Sequence, residues 1–381
     1  MSLTRRNLLG LGTAATVAAL TSSRLFAGSS STPLYKNNII IDGLGFPGGL
    51  SRDEGSGLIP GEITDIGNSG LTATHLTVGS VGTMAPLLAF EKIVRDIAKW
   101  EKDIELNPHV LSSVRQASDI QSSKNNATTG LIYGLQDGVS FEDDLDRLSA
   151  LQQIGIRVIQ PTYNRRNLLG DGCMEPSDAG LSRIGTEAIE RLNNLGILVD
   201  LSHCGRRTAA DAIANSSQPV SFTHTGCYAL AEHPRHRTDE EIKAVADGGG
   251  VVGIYIMPYL ARGKQPTAAD VIAHLEHAIQ IAGEDHVCIG TDGSISPTTL
   301  SPEYTEHFRE MTKKRKNLGI AAPFETETGY LFANDLNTPR RFETLAATLL
   351  ERGHSESRVR KILGGNLTRL FNATWSVPAS S

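Results

Sequence analysis

The 381-residue sequence has little of what several common function classes require. It holds four cysteines, and none of them is spaced as a CxxC metal or redox motif. Basic residues are not in excess, because the formal net charge is −6, so the basic footprint of a nucleic-acid-binding protein is missing. The sequence also lacks a GxSxG nucleophile elbow and a P-loop, which argues against a serine hydrolase of that type and against a P-loop nucleotide-binding protein.

The N-terminal residues have the pattern of an export signal. Residues 4–9 read Thr-Arg-Arg-Asn-Leu-Leu, a twin-arginine pattern, and a mild apolar run follows over residues 8–20. This run is too short for a transmembrane helix, and small residues follow it up to Ala27. We interpret residues 1–27 as a twin-arginine signal peptide and residues 28–381 as one domain, which predicts a periplasmic or secreted protein. An ordinary amphipathic N-terminus is the alternative.

Two short apolar segments that each end in a histidine organise the middle of the chain. Residues 197–203 read Ile-Leu-Val-Asp-Leu-Ser-His, and residues 219–224 read Pro-Val-Ser-Phe-Thr-His. Such runs, bounded by turn residues, are typical of buried parallel strands. The alanine-rich segment between them predicts a helix, so the two strands should be neighbours in a parallel sheet. We therefore expect His203 and His224 to lie together at the carboxyl edge of that sheet.

The rest of the chain repeats this alternation of strand and helix. It predicts an α/β protein, a single (β/α)8 TIM-type barrel of the kind found in metal-dependent hydrolases. A doubly wound sheet is the alternative, and it would need a reversal of strand order. A Gly/Ser-rich segment, residues 43–70, is expected to lie over the mouth of the barrel. The six further predicted strands cover residues 38–42, 71–78, 130–135, 156–160, 250–256 and 286–290.

Polar residues stand at the carboxyl ends of several predicted strands, where barrel enzymes collect their catalytic groups. With His203 and His224 they suggest metal-assisted hydrolysis, in which two imidazoles hold an ion and a carboxylate orients or deprotonates a water. An arginine in the loop after the sixth strand could bind a substrate carboxylate in bidentate fashion. Gln136 could orient substrate or water but could not act as a base. The polar residues are Asp42, Gln136, Asp137, Tyr163 and Asp292, and the arginine is Arg235.

Structural roles remain open for some of these residues. Asp292 could cap a turn between Thr291 and Gly293, and Arg235 could form a surface ion pair. Asp42 precedes Gly43 and is more readily explained as a turn residue than as a ligand. His75 is internal to its strand, so a packed and hydrogen-bonded histidine is the favoured interpretation. Cys204 and Cys227 follow the two histidines closely, and either buried free thiols or a disulfide fits them.

Several segments resemble the membrane (renal) dipeptidase family, peptidase M19, over about residues 38–371. The resemblance implies a zinc-dependent hydrolase that acts on dipeptides, including some with D-residues. It implies that His203 and His224 are zinc ligands, that Arg235 binds the substrate carboxylate and that Asp292 lies beside the attacking water. Dimers are common among such proteins, so it also implies a homodimer. The matching segments are residues 180–185, 193–203, 221–224, 234–235 with Asp239, 289–292 and 364–366.

The sequence departs from that family at the remaining ligand positions. The family has His and Asp after its first strand, where this chain has Leu44 and Phe46. Its bridging Glu falls at Gln136, or at Asp137 with a shift of one residue, and its substrate-binding His falls at Tyr163. We therefore expect one zinc ion rather than two, with Asp137 or Asp292 as the third ligand.

As substitutes for the missing family residues in the pocket, we expect Tyr163 and Asn164 to bind substrate and Gln136 to take part in catalysis. The sequence thus predicts an exported metal-dependent hydrolase that cleaves a dipeptide or a small peptide-like amide. Two alternatives stay open. One is an enzyme of the same fold with different chemistry, such as an isomerase or a processing enzyme of a secondary-metabolite pathway. The other is a catalytically inactive barrel that binds peptides or cell-wall fragments.

Overall fold

The structure, a computed structural model, describes residues 33–49, 57–82, 84–323, 325–327 and 329–375. The expected signal peptide, residues 1–27, lies outside the described residues. None of the helices within the described ranges is long and apolar enough to cross a membrane. The strands are β1 (Ile41–Asp42), β2 (Gly45–Phe46), β3 (Ala73–Thr77), β4 (Leu111–Ser113), β5 (Thr129–Leu135), β6 (Ile156–Ile159), β7 (Leu198–Val199), β8 (Ser221–Thr225), β9 (Val251–Ile254), β10 (Val287–Ile289) and β11 (Gly293–Ser294).

Eight of these strands form a parallel barrel, which confirms the predicted fold. One arc has the order β1-β3-β5-β6-β7 and the other the order β8-β9-β10, and every pairing within them is parallel. Backbone hydrogen bonds join the arcs at both seams. Leu201 N donates to Ser221 O at 2.7 Å, and Gly43 N donates to Ile289 O at 2.9 Å. The short strands β2, β4 and β11 are additions that the sequence analysis did not predict.

Helices surround the barrel and connect its strands. Three of them, α1, α2 and α4, were not predicted, because their short or polar sequences show little apolar periodicity. The helices are α1 (Pro33–Asn37), α2 (Pro60–Ser69), α3 (Pro86–Leu106), α4 (Ala117–Asn125), α5 (Arg147–Gln153), α6 (Arg183–Asn194), α7 (Arg206–Asn215), α8 (Asp239–Asp247), α9 (Ala268–Ala282), α10 (Pro302–Asn317), α11 (Arg341–Glu351), α12 (Glu356–Arg360) and α13 (Asn366–Trp375).

The lower half of the barrel interior is an apolar core closed by the last helix. One buried residue from each of seven barrel strands joins a single cluster, which is possible only if these side chains point to the barrel axis. Leu367, Leu370 and Phe371 of α13 belong to the same cluster and seal the N-terminal end. The seven strand residues are Ile41, Ala73, Ile132, Val158, Leu198, Val251 and Cys288.

Phe371 is the largest side chain of this seal and is 1% exposed. Its replacement by alanine removes buried apolar surface and leaves a cavity, so we expect the free energy of unfolding to fall by about 3–5 kcal/mol. Urea unfolding followed by circular dichroism measures this loss. The exposed neighbour Asn372 supplies the control, because Asn372→Ala should change stability by no more than about 0.5 kcal/mol. Equal effects of the two changes would show that α13 does not seal the barrel.

Candidate active site

A cavity of about 220 Å³ opens at the carboxyl ends of the barrel strands. This is smaller than the roughly 300–1,000 Å³ of pockets for drug-sized ligands, so the cavity suits a small molecule. Most of the site residues predicted from the sequence line it together, although their order in the chain separates them widely. Those that line the cavity are Gln136, Tyr163, Asn164, His203, Arg235 and Asp292.

His224 lies next to this cavity because of an irregularity in β8. Ser221 and Phe222 pair in register with β9, but the register shifts before Thr225, so two residues of β8 face one residue of β9. Such a bulge turns a side chain that would otherwise point away from the barrel axis. The His224 ring is fully buried, and its centroid is 5.1 Å from that of His203. The two imidazoles therefore converge, as the sequence predicted.

Hydrogen bonds fix both histidines in the same tautomer. Asn164 Nδ2 donates to a backbone carbonyl at 2.8 Å, so its Oδ1 faces His203 and accepts from Nδ1 at 2.6 Å. Thr223 Oγ1 donates to Asp200 at 2.6 Å and can therefore only accept from His224 Nδ1, at 2.8 Å. Both rings thus present an unprotonated Nε2. That of His224 is buried and has no hydrogen-bond partner among the described residues.

The electrostatic environment keeps both imidazoles neutral. Burial lowers the pKa of His203 and of His224 well below the usual value, and the positive charge of Arg235 lowers both further. Arg235 is 2% exposed, and its guanidinium donates to the backbone carbonyls of Ser202 and His224. No carboxylate of the described residues lies within ion-pair distance of Arg235. A buried charge without a partner is costly, so this arginine is suited to an anionic ligand.

Besides Glu325, the described residues that line the cavity include one carboxylate, that of Asp292. Burial raises its pKa to about 6, although the nearby Arg235 and Arg315 oppose this rise. Its backbone has φ +53°, in the left-handed region, and Asp292 N donates to Leu44 O at 2.8 Å. Pairing of β11 with β2 continues this contact. A pKa near neutrality suits a group that accepts and returns a proton.

Asp137 does not take part in this site, and its expected role as a metal ligand is not supported by its position. Its carboxylate accepts from Gly82 N at 2.9 Å, from Asn167 Nδ2 at 3.1 Å and from Val139 N at 3.3 Å. It lines a separate cavity on the other side of Tyr163. Because Gln136 faces the barrel mouth, the alternation along the strand end turns Asp137 away.

Asp42 and His75, whose roles were left open by the sequence, have structural roles. Asp42 accepts hydrogen bonds from Thr291 N at 2.8 Å and Thr291 Oγ1 at 2.6 Å, so it joins β1 to the end of β10. His75 is fully buried in the barrel interior, where its Nδ1 bonds Gly43 O at 2.8 Å. A Cβ on Gly134 would lie 2.0 Å from the His75 ring, so only glycine fits there.

The four cysteines, including Cys204 and Cys227, are free thiols. The disulfide between Cys204 and Cys227 that the sequence left open is therefore not formed.

A second arginine, Arg315, lines the cavity and was not predicted from the sequence. Arg315 of α10 reaches Tyr163 Oη at 3.3 Å and forms a bidentate pair with Glu325, with both N–O distances 2.8 Å. Tyr163 in turn stacks on His203, with ring centroids 4.1 Å apart. Arg315 belongs to a run of basic residues, 313–316, whose charge pattern indicates only an exposed helical face. Nothing in that pattern distinguishes the one residue that points into the barrel mouth.

The donor atoms of the site do not fit the zinc centre that the resemblance implies. His203 Nε2 and His224 Nε2 are suitable nitrogen donors. Among the described residues, however, no three His, Cys, Asp or Glu side chains lie close enough together to hold a metal ion. Catalytic zinc sites usually have three protein ligands, and the hydrocarbon side chains of Leu44 and Phe46 cannot serve.

Comparisons with known proteins agree with this architecture. The structure resembles the crystal structure of an amidohydrolase from Pseudomonas aeruginosa, with a TM-score of 0.78, 34% identity and coverage of 91% of this chain and 99% of that chain. It shares its fold with a metallopeptidase from Rhodobacter sphaeroides that was solved with a phosphinate mimic of L-Ala-D-Ala. There the TM-score is 0.71 and the identity 19%, over 89% of this chain and 100% of the other.

Sequence comparisons point the same way. The dipeptidase verJ of Clonostachys rogersoniana is 28% identical over 269 residues, which are 70% of this chain and 61% of that protein. The chain thus spans about three fifths of the length of this relative. The profile of the membrane dipeptidase family, peptidase family M19, matches residues 88–314, more than half of the chain. The resemblance seen in the sequence is confirmed, and the chain belongs to the membrane dipeptidase family.

Proposed function

We propose that this chain is a dipeptidase-like hydrolase that holds a small peptide-like substrate by its carboxylate and cleaves its amide bond. The observation that carries the proposal is that one small cavity contains both a buried arginine and a carboxylate with a raised pKa. Arg235 is a buried cation without a carboxylate partner among the described residues, and Asp292 is a carboxylate with a pKa of about 6. The first group suits substrate binding, and the second suits proton transfer.

The reaction needs one proton to be moved twice. Asp292 accepts a proton from a water molecule as the water oxygen attacks the amide carbon. The C–N bond then breaks, and Asp292 returns the proton to the leaving nitrogen, so that an amine and a carboxylic acid are released. Gln136 lines the cavity and can orient the water or the substrate through its amide. Tyr163 and Asn164 act indirectly, because they hold the His203 ring by stacking and by a hydrogen bond.

Members of this family are metallopeptidases, generally zinc-dependent. A single zinc ion in this chain, as the sequence led us to expect, would have only His203 and His224 as protein ligands. Because two ligands hold zinc weakly, the proposed proton transfer and substrate binding rest on Asp292 and Arg235. We expect the protein purified without chelator to contain much less than one equivalent of zinc.

A catalytically inactive peptide-binding barrel is the second candidate function. The observation in its favour is the apolar surface that Leu44 and Phe46 present where the family has metal ligands. Such a protein would bind its ligand through Arg235 without converting it.

We further propose that residues 1–27 direct export by the twin-arginine route, which places the protein in the periplasm or outside the cell. The homodimer implied by the resemblance stays a prediction.

Metal analysis and a turnover assay on the same preparation test these proposals. We expect less than about 0.1 equivalent of zinc, because two imidazoles make a weak site, and measurable hydrolysis that EDTA does not abolish. Zinc should be measured by plasma mass spectrometry and hydrolysis by chromatography of a panel of dipeptides and N-acyl amino acids. Stoichiometric zinc with chelator-sensitive turnover would contradict the expectation that Asp292 and Arg235 support hydrolysis without a tightly bound zinc ion. Arg235-dependent binding without any turnover would favour the inactive barrel.

A further inference from the structure

We infer that the substrate carries an uncharged, apolar acyl group rather than an amino-terminal ammonium, so that N-acyl amino acids fit better than free dipeptides. This inference rests on the proposed function and specifies its substrate class. It follows from the order in which strand ends surround the cavity, from the apolar side chains of Leu44 and Phe46 that line it, and from the distribution of negative charge.

The order of the barrel strands fixes the order of the subsites. Arg235 lies in the loop after β8, Asp292 follows β10, and Leu44 with Phe46 follow β1. Because β10 lies beside β1 at the closing seam, Asp292 stands between the arginine and the pair formed by Leu44 and Phe46. A substrate with its carboxylate at Arg235 and its amide at Asp292 therefore places its acyl part against Leu44 and Phe46.

The surface that receives the acyl part is apolar. Leu44 is 3% exposed and lines the cavity, and its backbone is held by the hydrogen bond from Asp292 N. Phe46 is half-buried and lies edge-on to Trp100, with ring centroids 5.8 Å apart. Phe308, Met311 and Leu331 contribute further apolar side chains to the cavity. Apolar ligand groups gain free energy by leaving water for such a surface.

Within the described ranges, the acyl subsite offers an ammonium group no free carboxylate. Among the described residues that line the cavity, the carboxylates are Asp292 and Glu325. Glu325 is engaged by the bidentate pair with Arg315 and by Tyr259 Oη at 3.2 Å. Asp292 is the group assigned to proton transfer, and the cations Arg235 and Arg315 already act on it. Burying an unpaired ammonium beside hydrocarbon is unfavourable, whereas burying an alkyl chain is favourable.

A matched pair of ligands tests this inference. N-(4-methylpentanoyl)-L-alanine differs from L-leucyl-L-alanine only by the absence of the α-ammonium group, and both can be made with D-alanine as well. Binding to the wild-type protein should be measured by isothermal titration calorimetry, with ligand integrity checked by mass spectrometry, and kcat/KM should be compared where a ligand is cleaved. We expect the acyl compound to be preferred by at least about tenfold, a difference well resolved by such titrations.

Two variants show whether the preference arises at the proposed subsite. Phe46→Asp supplies a carboxylate there and should reduce or invert the preference. The exposed Leu300 gives a matched control, since Leu300→Asp should leave the preference unchanged. Circular dichroism confirms that both variants are folded, and Leu44→Asn serves as a second variant should Phe46→Asp fail to fold.

Equal or tighter binding of the dipeptide by the wild type would overturn the inference, while the proposed function would survive if that binding needs Arg235. Absence of binding for both ligands would overturn the inference and the proposed function together.

Discussion

The Asp292→Asn protein is expected to lose turnover by about 10²–10⁴-fold and, at the same time, to unfold at a higher temperature than the wild type near neutral pH. Asparagine has nearly the same shape as aspartate but cannot accept a proton. The loss should appear in kcat, because the position that Arg235 offers to the substrate carboxylate is unchanged. We would measure kcat and KM on the best substrate of the panel.

The gain in stability follows from the sign of the pKa shift. The pKa of Asp292 rises from an ordinary value of 3.8 to about 6 in the folded protein. The folded state therefore binds this proton more tightly than the unfolded state, and stability falls as the pH rises from about 4 to about 6. Above that window the ionised carboxylate costs up to about 3 kcal/mol, since each pKa unit corresponds to about 1.4 kcal/mol. Asparagine removes this cost.

The pH dependence separates this explanation from a general effect on folding. The difference in melting temperature between Asp292→Asn and wild type should be largest near pH 7.5 and vanish near pH 4. In the wild type, kcat/KM should rise with pH through a midpoint near 6, because the base must be ionised to act. Asp247→Asn, at an exposed position paired with Lys243, should change neither profile. Full activity in the Asp292→Asn protein would refute the assigned role.

Replacement of Arg235 by methionine should weaken substrate binding by about 10²–10⁴-fold. Two charge-assisted hydrogen bonds to a carboxylate contribute about 1.5–3 kcal/mol each. Among the described residues that line the cavity, the other cation is Arg315, which is already paired with Glu325. The effect should fall mainly on KM or Kd. Methionine keeps much of the apolar volume of the arginine side chain, so the protein should remain folded.

A change in the ligand provides the strictest control for this variant. Conversion of the substrate carboxylate to an amide should weaken binding to the wild type by as much as the Arg235→Met change does. The same conversion should weaken binding to the Arg235→Met protein only slightly, because the carboxylate has already lost its partner there. Arg262→Met supplies a protein control, because Arg262 is exposed and pairs with Glu232 on the surface. If amidation weakened binding to Arg235→Met as strongly as to the wild type, the carboxylate would bind elsewhere.

The barrel strands could be predicted because each is a short apolar run whose boundaries coincide with polar or turn residues. Burial on both faces produces this signal, and β5 and β9 show it throughout. The helices α2 and α4 could not be found in the same way. Helix α2 depends on Glu62, whose carboxylate accepts from Gly49 N at 2.5 Å and from Ile59 N at 3.0 Å. Tertiary contacts of this kind leave no periodic pattern in the sequence.

The convergence of His203 and His224 was predictable from the strand ends, but their environment was not. The bulge that turns His224 inward depends on the register between β8 and β9, which the sequence does not encode in a short pattern. Neighbouring residues at a strand end point in opposite directions, and the sequence does not show which of Gln136 and Asp137 faces the cavity. Arg315 and Tyr163 are 152 positions apart, so their contact required the folded chain.

The closure of the barrel floor by α13 has a consequence for the order of events in the cell. The side chains that complete the interior come from residues 366–375, whereas the first barrel strand begins at Ile41. The seal therefore cannot form until α13 has been synthesised after all eight barrel strands, so native packing of the interior should follow synthesis of the strands rather than accompany it.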